Sequence, residues 1–192
     1  MKVFGLTGGA GMGKSTAAQL LCERGIPVTD TDVLARRIVE PGELALEKIR
    51  QVFGEEVISA DGTLHREKLA GIVFCNSEKR LQLENITHPH IRELWRAQVE
   101  SWRNENHPFA VVVIPLLFET AAEKELDGTI CVACSSATQR LRLIERGWTS
   151  EQIRQRIEAQ WPIEKKMAGA DFVVWSEGGM GVLAEQLKRV FQ

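Results

Sequence analysis

No apolar run in the 192 residues approaches the roughly 18 that a membrane-spanning helix requires, so no bilayer partner is expected. A basic surplus is missing too. The 24 lysines and arginines stand against 26 aspartates and glutamates, leaving a net charge of -2. Such a chain has no global attraction for nucleic acid, and an anionic small molecule must be met by local clusters of positive charge. Met1-Lys2 leads into an apolar segment without the pattern of a secretion signal, which makes the cytoplasm the expected compartment. Cysteine is scarce and dispersed, at Cys22, Cys75, Cys131 and Cys134. The last two form C-x-x-C, but there is no second such pair and no pair of histidines at ligand spacing. Residues 128 to 133 are β-like, and residues three apart on a strand point to opposite faces, so two structural thiols are expected there. Internal repeats and low-complexity linkers are also absent, which favours one core with excursions over separate domains.

What the chain does have is Gly8-Gly9-Ala10-Gly11-Met12-Gly13-Lys14-Ser15-Thr16, a match to G-x-x-x-x-G-K-[ST]. An apolar run, Val3-Phe4-Gly5-Leu6, enters it as a strand, and a helical pattern leaves it and stops at Gly25. Glycines allow successive backbone N–H groups to turn inward around an anion, and the following helix aims its positive dipole end at the same place. Gly11, Met12, Gly13, Lys14, Ser15 and Thr16 are therefore candidate ATP-binding residues. Lys14 reaches for the β- and γ-phosphates, and Ser15 offers its hydroxyl to Mg²⁺ together with phosphates and water.

Strand-type segments at residues 2 to 6, 26 to 29, 109 to 114, 128 to 133 and 171 to 175 alternate with helical patterns, the signature of βαβ units on a parallel sheet. Residues 66 to 105 contain no convincing strand, only helical stretches at 66 to 75, 77 to 85 and 91 to 104, and are read as an inserted helical subdomain.

Asp30 and Asp32 follow the second strand, and in open parallel sheets ligands sit outside the carboxyl ends of strands. Either carboxylate suits phosphoryl transfer to a hydroxyl, by orienting it and accepting its proton, or one of them or Thr31 caps the next helix. Arg36 and Arg37, one helical turn on, either bind an anionic acceptor or remain solvated. Between residues 136 and 170, seven basic residues meet four acidic ones. Gly147 breaks a helix there and Thr149-Ser150-Glu151-Gln152 starts another as a capping box, describing a helical hairpin. Such a hairpin serves as a lid that brings arginines to developing charge, or as a solvated face. Trp102, Trp148 and Trp161 either line a ligand or pack.

Together these motifs resemble the dephospho-coenzyme A kinase family, which phosphorylates the ribose 3′-hydroxyl of a coenzyme A precursor. The resemblance runs nearly end to end: Gly5-Leu6-Thr7-Gly8-Gly9 through Thr16, Asp30-Thr31-Asp32 with Arg36, Phe53-Gly54, and Asp61-Gly62-Thr63-Leu64-His65-Arg66. Leu83-Glu84-Asn85-Ile86-Thr87-His88-Pro89 and Pro115-Leu116-Leu117-Phe118-Glu119 extend it. It implies an α/β P-loop kinase-type three-layer fold with a central parallel five-stranded sheet, an inserted helical substrate subdomain and a helical lid. The nucleotide-binding core would then be residues 1 to 61, 108 to 136 and 166 to 192, the coenzyme A subdomain 62 to 107 and the lid 137 to 165. ATP and Mg²⁺ are the implied cofactors, and the partner is the small molecule dephospho-coenzyme A, bound by a monomer or weak homo-oligomer.

By the same resemblance Asp32 matches the catalytic base, with Lys14 and Arg142 as its catalytic companions. Arg142 and Arg146 fall on the lid arginines and Gln160 on a glutamine near the lid's end. Asp32, Arg36, His88 and Glu119 are the candidate substrate-binding residues. His88 with Pro89 is either a substrate contact or a packed helix start with proline in the first turn. Two departures stand out. Many relatives carry an acidic residue where this chain has Val113, which removes a carboxylate from the Mg²⁺ surroundings. Ser176-Glu177-Gly178 stands where relatives often show Asn-x-Gly, and an asparagine contact to adenine would be altered. The alternatives are another nucleoside or small-metabolite kinase and a nucleotide-dependent regulatory switch. No Asn-Lys-x-Asp base-reading element supports the switch.

Overall fold

The computed structural model describes residues 1–74 and 76–192; Cys75, which closes one of the helical stretches above, lies outside the described residues. In chain order the elements are β1 (Lys2–Thr7), α1 (Lys14–Glu23), β2 (Val28–Asp30), α2 (Thr31–Arg37), α3 (Leu44–Phe53), α4 (Arg66–Phe74), α5 (Ser77–Asn104) and β3 (Phe109–Val113). They continue with β4 (Gly128–Ala133), α6 (Ser136–Glu145), α7 (Ser150–Glu158), α8 (Ile163–Gly169), β5 (Phe172–Trp175) and α9 (Met180–Val190). The chain divides into two compact units, Met1–Asp30 with Val99–Gln192, and Thr31–Gln98.

The first unit is built on a five-stranded sheet in the order β2-β3-β1-β4-β5 with every pairing parallel. A parallel sheet is covered on both faces, so its central strands are apolar throughout. β4 is buried at all its residues and β3 at all but its first. Phe4, Leu6, Val111, Val113, Ile130 and Val132 alternate onto one face, where Leu21 of α1 and Leu183 and Leu187 of α9 close the core. Phe191 completes it with its ring edge against Phe4, the centroids 5.1 Å apart. On the other face Leu117 and Leu126 crowd the bare Cα of Gly5, and α8 packs on β4. The three layers and the five parallel strands expected from the sequence are present. β2 starts later than expected, at Val28, because Pro27 has no N–H for the ladder and contributes only its carbonyl, to Val111 N at 2.9 Å. Cys131 and Cys134 are buried free thiols, and no disulfide occurs among the described residues.

The second unit has a core of its own, formed by Ile38, Val39, Leu46, Ile49, Phe53, Val57 and Leu69. Leu83, Ile86, Ile91 and Leu94 of α5 pack against it at helical spacing. One expectation is corrected here. Residues 77 to 85 and 91 to 104 are not separate helices but one helix, with Pro89 in its interior. Pro89 is therefore no helix start, and that reading of His88-Pro89 fails. The apolar stripe continues through the proline, and its burial outweighs the loss of one helical hydrogen bond. Among the described residues no helix is long and apolar enough to cross a membrane.

Candidate active site

The phosphate loop joins β1 to α1 at the carboxyl edge of the sheet. Gly8, with φ of 146°, has the carbonyl of Val132 where a Cβ would lie, so only glycine lets the loop leave β1 this close to β4. Gly13 is the N-cap of α1 in the left-handed region, with φ of 94°, and its carbonyl accepts Ala17 N at 3.0 Å. No side chain caps this helix start, so the first N–H groups of α1 are left to the loop's concavity. Lys14 Nζ donates to the carbonyls of Gly8 at 2.9 Å and Gly9 at 3.0 Å, lying across the loop.

Three side chains fix the loop from outside. Gln139 of α6 donates through Nε2 to Ala10 O at 2.8 Å, and Ala10 N donates to Gln160 Oε1 at 3.2 Å. The two glutamines flank the hairpin of α6 and α7, so both of its ends are fastened to one residue of the loop. Ser176, just past β5, donates to Met12 O at 2.8 Å and accepts Arg142 Nη1 at 2.8 Å, while Arg142 Nη2 donates to Ser176 O at 2.7 Å. The Ser176 hydroxyl thus braces the loop and aims Arg142. Beside these groups opens a cavity of about 500 Å³, lined by Gly11, Gly13, Thr16, Arg142, Arg146 and Ser176, and continued by residues 177 to 180. Its size is that of a small-molecule site. Glu177 in its wall accepts Ser135 Oγ and Trp175 Nε1, and these hydrogen bonds hold its carboxyl down at about 2.

The capping box at Thr149 and Gln152 is present as expected, but the positive charge of this region is divided among several tasks. Arg154 pairs on the surface with Glu151 and Glu158, and Arg156 lies over the ring of Trp148. Lys165 lies over Trp161, which stacks on Phe118. Of the basic residues only Arg142 and Arg146 line the cavity. Lys166 is wholly buried and donates to Pro115 O at 2.6 Å and to Glu119 Oε1 at 2.8 Å. Glu119 follows β3 and also accepts Trp161 N at 2.8 Å. Trp148 and Trp161 pack against protein groups, and the pattern of charges gave no signal for Gln139 or Lys166.

Asp32, Arg36 and His88 belong to the second unit. Asp32 is exposed in the first turn of α2, two residues beyond the end of β2, and Arg36 is exposed in its last turn. His88 is half-buried in α5, where burial pushes its imidazole down despite the opposing pull of Glu84, with Arg92 lowering it further. This unit also holds an apolar cavity of about 300 Å³ bordered by Ala35, Val39, Ile49, Leu69, Val73 and Leu83.

For Mg²⁺ the donor set is sparse. No cluster of three His, Cys, Asp or Glu residues exists among the described residues, and Val113 at the end of β3 is buried. Ser15 in the first turn of α1 is exposed. One hydroxyl beside bound phosphates fits Mg²⁺, which keeps several waters and takes few protein ligands.

Comparison with known proteins bears on the family and the fold. The dephospho-CoA kinase family model matches residues 2–181. A dephospho-CoA kinase of Bdellovibrio bacteriovorus is 42% identical over 192 residues, spanning all of this chain and 96% of that protein. The crystal structure of TT1252 from Thermus thermophilus superposes with a TM-score of 0.86 at 36% identity, covering 99% of this chain and 96% of the other. A solved dephospho-CoA kinase from Campylobacter jejuni gives a TM-score of 0.73 at 30% identity over 99% of this chain and 95% of its own. With a family model matched over nearly its whole length, and a relative of that name aligned end to end, the chain belongs to the dephospho-CoA kinase family.

Proposed function

We propose that this chain transfers the γ-phosphoryl group of ATP to the ribose 3′-hydroxyl of dephospho-coenzyme A, in coenzyme A biosynthesis. Family membership supplies the reaction; the nucleotide-side roles rest on the site, and those of Asp32, Arg36, His88 and Glu119 on the resemblance. The observation that carries the nucleotide-side roles is the cavity where the loop, the open start of α1, Arg142 and Arg146 converge. Backbone N–H groups from Gly11 to Thr16 cradle the phosphates, and Lys14 exchanges its contacts with Gly8 and Gly9 for the β- and γ-phosphates. Arg142 and Arg146 counter the charge that spreads over the transferring oxygens. Asp32 orients the acceptor hydroxyl and takes its proton, while Arg36, His88 and Glu119 bind the acceptor. Ser15 would hold Mg²⁺ with phosphates and water. When bound, the ion neutralises charge on the β- and γ-phosphates.

Residues 62 to 107 serve as the coenzyme A subdomain, residues 137 to 165 as the lid, and the remainder as the nucleotide-binding core. The chain works in the cytoplasm as a monomer or weak homo-oligomer. The test is ADP release with MgATP in the presence of dephospho-coenzyme A, adenosine, AMP or no acceptor, with mass measurement of the product. The expected result is a product heavier by one phosphoryl group from dephospho-coenzyme A alone. Turnover of another acceptor instead would remove the substrate assignment, and hydrolysis independent of acceptor would point to a switch.

A further inference from the structure

Lys166 is the largest fully buried side chain among the described residues, and burying an ammonium group is costly unless its partners are well placed. Its partners are Pro115 O at 2.6 Å and Glu119 Oε1 at 2.8 Å. The carboxylate of Glu119 is used unevenly. Oε1 receives both the Lys166 ammonium and the Trp161 N–H, whereas Oε2 is buried with no hydrogen-bond partner among the described residues. An anionic oxygen in such surroundings still seeks a directional donor, because a neighbouring positive charge lowers its energy without occupying its lone pairs.

The location of the pair is informative. Pro115 O is shared with Thr7 Oγ1 at 3.2 Å, and Thr7 is the last residue of β1 before the phosphate loop. Lys166 and Lys14 both act on the thiol of Cys131 in β4, pulling down a group that burial pushes up to about 11. Glu119 therefore lies past the carboxyl end of β3, beside the strand that feeds the loop, at the edge where parallel sheets meet their ligands.

We propose that Lys166 is a positioning residue: it fixes the Glu119 carboxylate so that Oε2 accepts a hydrogen bond from a hydroxyl of the phosphoryl acceptor. This rests on the kinase reading given above and adds to it how one acceptor contact is held. Trp161 N shares the work from the chain leading into α8, so the segment past the hairpin and the segment past β3 set the carboxylate together.

The experiment compares the full chain with Lys166→Met, Glu119→Gln and the double substitution, reading melting temperature, KM for ATP and KM for dephospho-coenzyme A. Lys166→Met should melt lower, because a carboxylate is left without its counter-ion. The double variant should recover most of that loss, since neither charge remains. Its KM for dephospho-coenzyme A should nevertheless stay about tenfold above that of the unaltered chain, with the KM for ATP within twofold, as the loss of one charge-assisted hydrogen bond implies. A double variant with a normal acceptor KM would reduce the pair to a structural one and overturn the proposal, as would an equal rise in the KM for ATP. If Lys166→Met does not fold, Glu119→Gln and the double variant carry the same comparison. An unaltered chain inert toward dephospho-coenzyme A would overturn the kinase reading as well, whereas the other adverse results overturn only this inference.

Discussion

The two units hold their working residues by different means. In the phosphate-loop unit the site is fixed by buried polar bonds to the backbone: Gln139 and Gln160 to Ala10, Ser176 to Met12, Lys166 to Pro115. In the helical unit the interior is apolar, and ion pairs such as Arg50 with Glu47 and Arg80 with Glu84 lie on the surface, where each is worth little. A loop that binds phosphate has to keep its peptide groups in one geometry, which directional bonds supply and apolar contacts do not. A helical unit can be held by burial alone and leave its polar side chains, Asp32 and Arg36 among them, at the surface. Substitutions at the phosphate loop and its braces should therefore act on nucleotide handling, those at Glu119 and Lys166 on the acceptor, and those in the second unit on stability or on the acceptor.

Asp32 tests that division most severely, since it places chemistry in the helical unit. Asp32→Asn should lower kcat about 10²-fold or more while leaving ATP affinity unchanged, as loss of a general base does. Single-turnover transfer and equilibrium ATP binding separate the two effects. Near-normal turnover would confine the chemistry to the phosphate-loop unit. Lys14→Ala should reduce kcat/KM for ATP by about 10²-fold and weaken nucleotide binding too, because its ammonium serves bound and transferring phosphates alike. Unchanged ATP binding by calorimetry would contradict the phosphate cradle.

The glutamine clamp is the next step down. Each bond to Ala10 is a neutral hydrogen bond worth about 1 kcal/mol, so Gln139→Ala and Gln160→Ala should each cost about five- to tenfold in kcat/KM for ATP. Both act on the same residue of the loop, so the double variant should lose less than the product of the single losses. Strict multiplicativity in steady-state kinetics would mean that the two ends of the hairpin act separately.

Much of this was legible in the chain, for reasons that differ between elements. The central strands declare themselves because a sheet covered on both faces demands runs such as Val111-Val112-Val113-Ile114. The loop declares itself because Gly8 and Gly13 occupy backbone conformations that constrain residue type. The capping box at Thr149 was legible since both partners are near neighbours in sequence. Gln139 and Lys166 were not, because their partners are carbonyls and a carboxylate far along the chain, and a carbonyl is common to every residue. Glu164-Lys165-Lys166 reads as a solvated face, yet Lys166 turns inward while Lys165 covers Trp161. The break supposed at residues 86 to 90 failed for a further reason: proline is a local signal, and the apolar stripe of α5 is a tertiary one.

That conflict in α5 supplies the smallest effect and the finest probe of the comparison. Pro89 cannot donate to the carbonyl of Asn85, one turn earlier, and its ring crowds that carbonyl, so the helix bears a local cost in return for no packing that alanine would lack. Pro89→Ala should restore the bond and raise stability by about 1 kcal/mol once the greater freedom of the unfolded chain is counted. The melting temperature should then rise by about 2–4 °C. If the helical unit is shaped only by burial, that gain comes with unchanged kinetics. If it is shaped for the acceptor, as proposed for the neighbouring His88, restoring regular helix shifts the imidazole and the KM for dephospho-coenzyme A rises severalfold while that for ATP stays put. The second result is expected, since a proline kept inside a long helix against local preference is more readily understood as setting the direction of His88 than as contributing to the core.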